Sequence, residues 1–398
     1  MSKQNVYLDS KPRYEILDGL RGVAALMVVL FHCFETYSMS IGRQIVNHGY
    51  LAVDFFFVLS GFVIGYAYDD RWDKMTTWGF FKRRLTRLHP MLVAGMVVGA
   101  FMFFFGECRQ FHVIMETPAW KFILCFVMGL FLIPCGKNLD IRGWNEMNSF
   151  NGPAWTLFFE YIGNILYAFI LRRLPKFALA ILAAGAAFLT LNLTLGWDVF
   201  DLFRFPKYNV IGGWSLNKPE MLIGFSRLLY PFIAGLLVSR ILRSRSTENN
   251  LSGSPIRLRG GFWWCALILV FIFACPRIGG KAGVPDGLFQ AAAIILVFPL
   301  IVIMGAGSTL TGKKSEKFCK FLGELSFPLY ITHYPFMYIQ MAWAERNMGA
   351  PVWMHVMVNV GTVLLSILVA WSLYKLYDLP VRRWLTEHWL KKPAKAKA

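Results

Sequence analysis

Arg21 and His32 lie eleven residues apart within one apolar stretch, Ile16 to Tyr37. Eleven helical steps bring two side chains back to one face, about 16 Å apart along the axis. Such residues are costly in a bilayer, and where they occur they face the protein interior or a water-filled cavity. A guanidinium near one surface and an imidazole near the other suit a substrate that reaches deep into the protein. His32 is the candidate general base, because an imidazole beside a carboxylate takes up a proton near neutral pH. Its candidate partners are Glu160 and Asp54, which share its depth in the topology below. Glu35, one turn further along the same face, is a weaker third. His333 sits near the middle of another apolar stretch and is a candidate substrate contact. Arg84 and Arg87, in Phe81-Lys-Arg-Arg-Leu-Thr-Arg-Leu-His-Pro90, present two guanidinium forks on one helix face, which could grip phosphates. A basic cluster after a span is also what a topology anchor looks like.

The elements that must hold these residues are apolar helices. The chain has 398 residues, is 56% hydrophobic and 16% charged, and has a mean hydropathy of +0.48. Soluble domains are nearer half apolar and about a quarter charged. Ten spans are predicted, near 16–37, 50–68, 91–105, 154–171, 177–195, 224–242, 262–276, 288–305, 322–345 and 352–377. The first reads as a span rather than a cleaved signal, since it carries Asp18 and Arg21. Segment Ala119–Cys135 is apolar enough to be an eleventh. If it does not cross, most Lys and Arg fall on one side, the cytoplasmic one. If it crosses, the two sides are nearly even. The orientation rule favours the first arrangement, with 119–135 re-entrant or interfacial and both termini cytoplasmic.

The formal charge of +18, from 41 basic and 23 acidic residues, follows from this loop bias rather than from nucleic-acid binding. The seven cysteines are scattered, with no paired spacing and no His/Cys cluster, so neither a disulfide framework nor a metal site is expected. Residues 243–260 form a polar loop. A single membrane-embedded domain is expected over 1–385, followed by a basic cytoplasmic tail, 386–398.

Several stretches resemble, in order, the membrane acyltransferase type 3 family. They are Leu17-Asp-Gly-Leu-Arg-Gly with Phe31-His32, Val53-Asp-Phe-Phe-Phe-Val-Leu-Ser-Gly-Phe-Val-Ile64, Arg84-x-x-Arg87, Asn151-Gly-Pro-Ala-Trp-Thr-Leu-Phe-Phe-Glu160, Leu322-Gly-Glu-Leu-Ser-Phe-Pro-Leu-Tyr-Ile-Thr-His333 and Tyr377-Asp-Leu-Pro-Val-Arg382. The usual Trp-Ser-Leu is Trp155-Thr-Leu157 here, and the terminal Glu-x-Pro is Asp378-Leu-Pro380. The resemblance implies transfer of an acyl group, commonly acetyl, from cytoplasmic acyl-CoA to a carbohydrate or glycan hydroxyl. It ties Arg21 and His32 to catalysis and Arg84 and Arg87 to the acyl-CoA side.

The sequence therefore reads as an all-α, polytopic acyltransferase of about ten spans in the plasma membrane. His32, Arg21 and Glu160 are the catalytic candidates. Arg84, Arg87, Asp54 and His333 are the substrate-binding candidates. His32 acts as general base or is transiently acylated. Acyl-CoA is a substrate, and no permanently bound cofactor is expected. A transporter or flippase of a glycan or lipid-linked cargo, using the same buried charges, is the alternative. Oligomeric state is not legible.

Overall fold

The computed structural model describes residues 11, 13–37, 44–247 and 252–391. Among them there is no strand, and a lone bridge pairs Arg259 with Thr309. The helices are α1 (Glu15–Glu35), α2 (Ala52–Tyr68), α3 (Thr77–Met102), α4 (Ala119–Leu130), α5 (Ala154–Phe169), α6 (Lys176–Thr194) and α7 (Lys218–Ser244). They continue as α8 (Gly261–Ala274), α9 (Val284–Ala292), α10 (Phe298–Gly307), α11 (Lys313–Thr332), α12 (Tyr334–Arg346), α13 (Val352–Leu373) and α14 (Leu379–Leu385). Eight helical runs are long and apolar enough to cross a membrane.

Local sequence sets the helix starts. The Thr76 hydroxyl accepts from Gly79 N–H at 3.0 Å to cap α3. The Asn217 side chain accepts from Glu220 N–H at 3.1 Å to cap α7, with Pro219 in the first turn. In lipid, helices associate through close packing more than through apolar burial, and small residues permit it. The most extensive helix pair, α2 with α7, meets at Gly61 and Gly235. A Cβ on Gly61 would run into the Phe232 carbonyl, and one on Gly235 into the Val58 carbonyl. Gly22 lets α1 lie against the Leu322 carbonyl of α11 in the same way.

Contacts sort the loops into two ends. At one end Lys11 pairs with Asp70 at 2.6 Å, Arg240 with Asp69 at 2.6 Å, and Lys176 reaches Ser244 at 3.2 Å. At the other, His48 reaches Asp286 at 3.2 Å, Met147 N–H bonds Trp214 O at 2.7 Å, and Arg109 N–H bonds Glu345 at 2.9 Å. This is the grouping expected of ten end-to-end passes. Both flanks of α4 lie at the second end, since Lys121 donates to Asp140 O at 2.8 Å and Thr117 to Ile141 O at 3.4 Å. Twelve residues span about 18 Å, short of the roughly 30 Å hydrocarbon core. The helix enters and the chain folds back, carrying loop 131–153 over the bundle end.

Three expectations change. The predicted span 322–345 is two helices, interrupted at His333, with Pro335 opening the second. His333 keeps helical angles, φ −75° and ψ −35°, and Pro335 has no N–H for the Ile331 carbonyl, which accepts from Asn151 instead at 2.6 Å. The predicted span 262–276 is the short helix α8, of 14 residues. The chain also stays helical past 385, over Thr386–Leu390, where Trp389 packs edge-on against Trp78 and its carbonyl accepts from Lys82 at 3.4 Å. The start of the predicted tail is thus docked on α3. The remainder of that tail, 392–398, and part of the polar loop, 248–251, lie outside the described residues.

Candidate active site

The predicted site residues divide between two chambers. The first, about 210 Å³, lies towards the end where Lys11 meets Asp70, and is lined by Arg21, Arg84, Arg87, Glu160, Ser60, Asp18, Asp378 and Arg382 among others. The α1 register brings Arg21 here, with Asp18 one turn back, their side chains 3.1 Å apart. Helix α3 supplies Arg84 and Arg87. Arg84 donates to Glu160 at 2.5 Å, and Ser60 donates to the same oxygen at 2.6 Å. Arg382 pairs with Asp378 at 3.1 Å. Arg87 is exposed into the opening, and among the described residues no carboxylate pairs with it or with Arg13.

This chamber continues into a mouth of about 240 Å³ lined by Lys11, Arg13, Arg71, Arg83, Arg87 and Arg382, with Asp18 as its lining carboxylate. Lys11 and Arg382 are paired with Asp70 and Asp378, while Arg13 and Arg87 meet no carboxylate among the described residues, so the opening is positive and suited to a polyanionic group.

The second chamber, about 420 Å³, is lined by His32, Glu35, Glu146, Asn145, Arg227, Trp144, Trp155, Trp214 and Tyr334 among others. Asn145 and Gly143 line it and are exposed, so it reaches the surface at the loop end. His32 Nδ1 lies 2.7 Å from Glu35 Oε2. With that nitrogen engaged by the carboxylate, Nε2 is the one available to a ligand. The ring is flanked by Tyr334, centroids 4.6 Å apart, and stacked on His333 at 5.5 Å.

The expected carboxylate partners of His32 are therefore corrected. Glu160 belongs to the arginine chamber and is held by Arg84 and Ser60. Asp54 is fully buried against Arg227, with Nη2 to Oδ2 at 2.8 Å and Nε to Oδ1 at 3.3 Å. Arg227 also donates from Nη2 to the Tyr50 carbonyl at 2.5 Å and from Nη1 to the Gly212 carbonyl at 3.3 Å. Asp54 is thus a structural counter-ion behind the chamber wall. Glu35 wins because it is three residues from His32 on one helix, where side chains meet without long-range positioning.

His333 is buried, and its Nδ1 contacts the Leu329 and Tyr330 carbonyls at 3.1 and 2.9 Å. The Leu329 carbonyl also accepts the His333 backbone N–H at 3.1 Å, so the ring folds back onto its own helix. It packs behind His32 and does not line the chamber.

Sequence reasoning passed over Glu146. Loop 131–153 carries it beneath the bundle end, where Oε2 accepts from Tyr338 OH at 2.6 Å. Burial pushes its carboxyl up to about 7. Arg142 from the same loop lies 3.5 Å from the centre of the Tyr338 ring and donates to Ser149 O at 2.9 Å. The available signal was the cluster Trp144-Asn-Glu146 just before Asn151-Gly-Pro153.

The arrangement can therefore hold a polyanion at one end and present a carboxylate-held imidazole, with acids and aromatic rings, at the other. A family model described as an acyltransferase domain, that of the acyltransferase 3 family, matches residues 14–375. The chain is 27% identical over 361 residues to "Acyltransferase MdmB" of Streptomyces mycarofaciens, covering 85% of this chain and 81% of that one. It is 35% identical over 187 residues to "Protein 2 in picA locus" of Rhizobium radiobacter, covering 44% of this chain and 93% of that one. It is 23% identical over 380 residues to "O-acetyltransferase OatA" of Staphylococcus aureus (strain NCTC 8325 / PS 47), covering 94% of this chain and 58% of that longer protein. No solved structure matches.

Proposed function

The chain belongs to the acyltransferase 3 family, a polytopic membrane acyltransferase, and from that premise we propose that it moves an acyl group from acyl-CoA to a carbohydrate hydroxyl, with His32 as general base. The observation that carries this reading is the His32–Glu35 pair at 2.7 Å, facing a chamber walled by Trp144, Trp155, Trp214 and Glu146. Aromatic faces with nearby carboxylates suit a sugar, which offers C–H faces for stacking and hydroxyls for hydrogen bonding. The name of the Staphylococcus relative supports acetyl as the acyl group.

The CoA phosphates bind at the mouth, on Arg87 and Arg13, whose guanidinium groups pair with no carboxylate among the described residues. The pantetheine arm runs through the first chamber past Arg21. The acceptor hydroxyl gives its proton to His32 Nε2 as its oxygen attacks the thioester carbonyl. Collapse of the tetrahedral intermediate breaks the C–S bond and expels the CoA thiolate, which takes the proton from His32 Nε2 and returns the imidazole to its neutral form. Glu35 fixes the imidazole and stabilises the imidazolium that forms. The mouth faces the cytoplasm, and the histidine chamber opens on the outer side of the plasma membrane. The excess of cations at the mouth end supports that orientation.

The decisive experiment incubates purified protein with radiolabelled acetyl-CoA and a panel of glycosides. We expect thioester-dependent labelling of a glycoside. His32→Gln should abolish it while CoA binding persists. Cargo movement across vesicles with no thioester consumed would leave the transporter reading instead. For orientation, Asn145→Cys in a background freed of native cysteines should react with an impermeant maleimide in intact cells, and Lys314→Cys only after lysis. The reverse pattern would overturn it.

A further inference from the structure

The linings of the two chambers overlap at Val53 and Tyr330. The donor's phosphates and the base lie on opposite sides of these two residues. Val53 sits in the first turn of α2 and is 7% exposed, and Tyr330 on α11 is 8% exposed. Phe56 braces the Tyr330 ring edge-on, centroids 5.2 Å apart. The Thr156 hydroxyl donates its proton to Pro153 O at 2.9 Å. The Tyr330 hydroxyl, 3.0 Å from Thr156 Oγ1, is therefore the donor in that bond. Tyr330 is held at both its ring and its tip. Val53 has no polar tether and presents a branched face to the gap.

We infer that Val53 and Tyr330 form the gate through which the acyl group passes from the arginine chamber to His32, and that the bulk of Val53 sets the width of acyl group admitted. The inference rests on the acyl-CoA reading above. Behind the gate the chamber holds about 420 Å³, ample for a short acyl group. Width at the crossing, more than room beyond it, is then what discriminates. An unbranched acyl group slips between a valine and a tethered ring, and one branched at the α-carbon meets the valine methyls.

Bromoacetyl-CoA tests this without an identified acceptor. If the arm passes the gate, His32 Nε2 attacks the α-carbon. A C–N bond forms, the C–Br bond breaks, bromide leaves, and the imidazolium proton goes to solvent. Mass spectrometry locates the adduct, and stabilisation by CoA in thermal unfolding reports binding independently. Wild type should label at His32, and slowly or not at all with the α-branched 2-bromopropionyl-CoA. Val53→Ala should raise the 2-bromopropionyl to bromoacetyl rate ratio by about tenfold or more, the usual discrimination carried by one methylene-sized change. Val53→Phe should still bind CoA and lose the His32 adduct. An unchanged ratio in Val53→Ala, or undiminished labelling in Val53→Phe, overturns the gate. Wild type that binds CoA but is never alkylated at His32 overturns the route. Wild type that binds no CoA overturns the donor assignment itself, and the gate with it.

Discussion

The arginine chamber and the histidine chamber are built from the same ingredients and use them in opposite ways. In the second, the cation Arg227 is spent on Asp54 and two backbone carbonyls, so the groups left for a ligand are acids, a histidine and aromatic rings. In the first, Arg84 and Arg21 are each partnered by one carboxylate, and Arg87 is partnered by none among the described residues. A buried guanidinium whose three nitrogens all have partners is structure, because leaving such a charge unmatched costs several kcal/mol. A charge left open at a cavity wall is available to a substrate. The contrast teaches that partner accounting separates scaffold from site better than residue type does.

The comparison can be broken where the contrast is sharpest. Glu35→Gln should lower kcat by about 10²–10⁴-fold with little change in acyl-CoA KM, as expected when a base loses the group that orients it. Glu160→Gln should not reproduce that selective loss of kcat, since its carboxylate faces Arg84 and Ser60 rather than the imidazole. Were Glu160→Gln to mimic Glu35→Gln, the division into two chambers would fail. Asp54→Ala should cost about 3–5 kcal/mol of stability, measured by denaturant unfolding in detergent, because it strands a buried guanidinium. A stable variant with lost turnover would return Asp54 to the chemistry.

The next effect is smaller and lies in binding. Arg87→Ala should raise the acyl-CoA KM about tenfold through loss of a charge-assisted contact, with lysine restoring part of it. Acetyl-pantetheine, which lacks the nucleotide phosphates, should be indifferent to the change. Equal losses with both donors would reduce Arg87 to a topology anchor.

The smallest effect sharpens the picture at Glu146. Its carboxyl is raised to about 7 in the fold, above its ordinary value of 4.5, chiefly by burial. The folded state therefore holds this proton more tightly than the unfolded chain. The resulting stability is fully present below about pH 4.5 and is lost as pH rises to about 7. Glu146→Gln should flatten the thermal midpoint over that window. An unchanged slope would mean that Glu146 is charged throughout.

The fold was largely legible, because apolar length and charge bias are summed over many residues. The return of 119–135 could be read from the distribution of Lys and Arg, and the chain before α4 does meet the chain after it at one end. The break at His333 was not, since Pro335 inside an apolar run marks a kink as readily as an interruption. At the site, Arg21, His32 and the Arg84–Arg87 pair announced themselves by spacing on one helix face. Pairing across helices did not. Charge counting puts Glu160 and Asp54 in the outer half with His32, but Glu160 lies a chamber deeper, beside Arg84, and Asp54 turns to Arg227. Side chains on separate helices meet only if both azimuths agree. Glu35 shares a helix with His32, so one periodicity fixed both. Glu146 was hidden because it rides on an irregular loop, where no period places it.

The wall between the chambers has an electrical consequence. A protein hollowed from both ends is a pore with a plug. Each elementary charge that leaks across 100 mV dissipates about 2.3 kcal/mol of stored gradient. Val53 and the tethered Tyr330, braced by Phe56, stand where the two linings meet, and a dry layer of that kind blocks hydrated ions by refusing them water. The same few side chains that would sort acyl groups thus serve as insulation. Variants that widen the crossing should be read for conductance as well as for turnover.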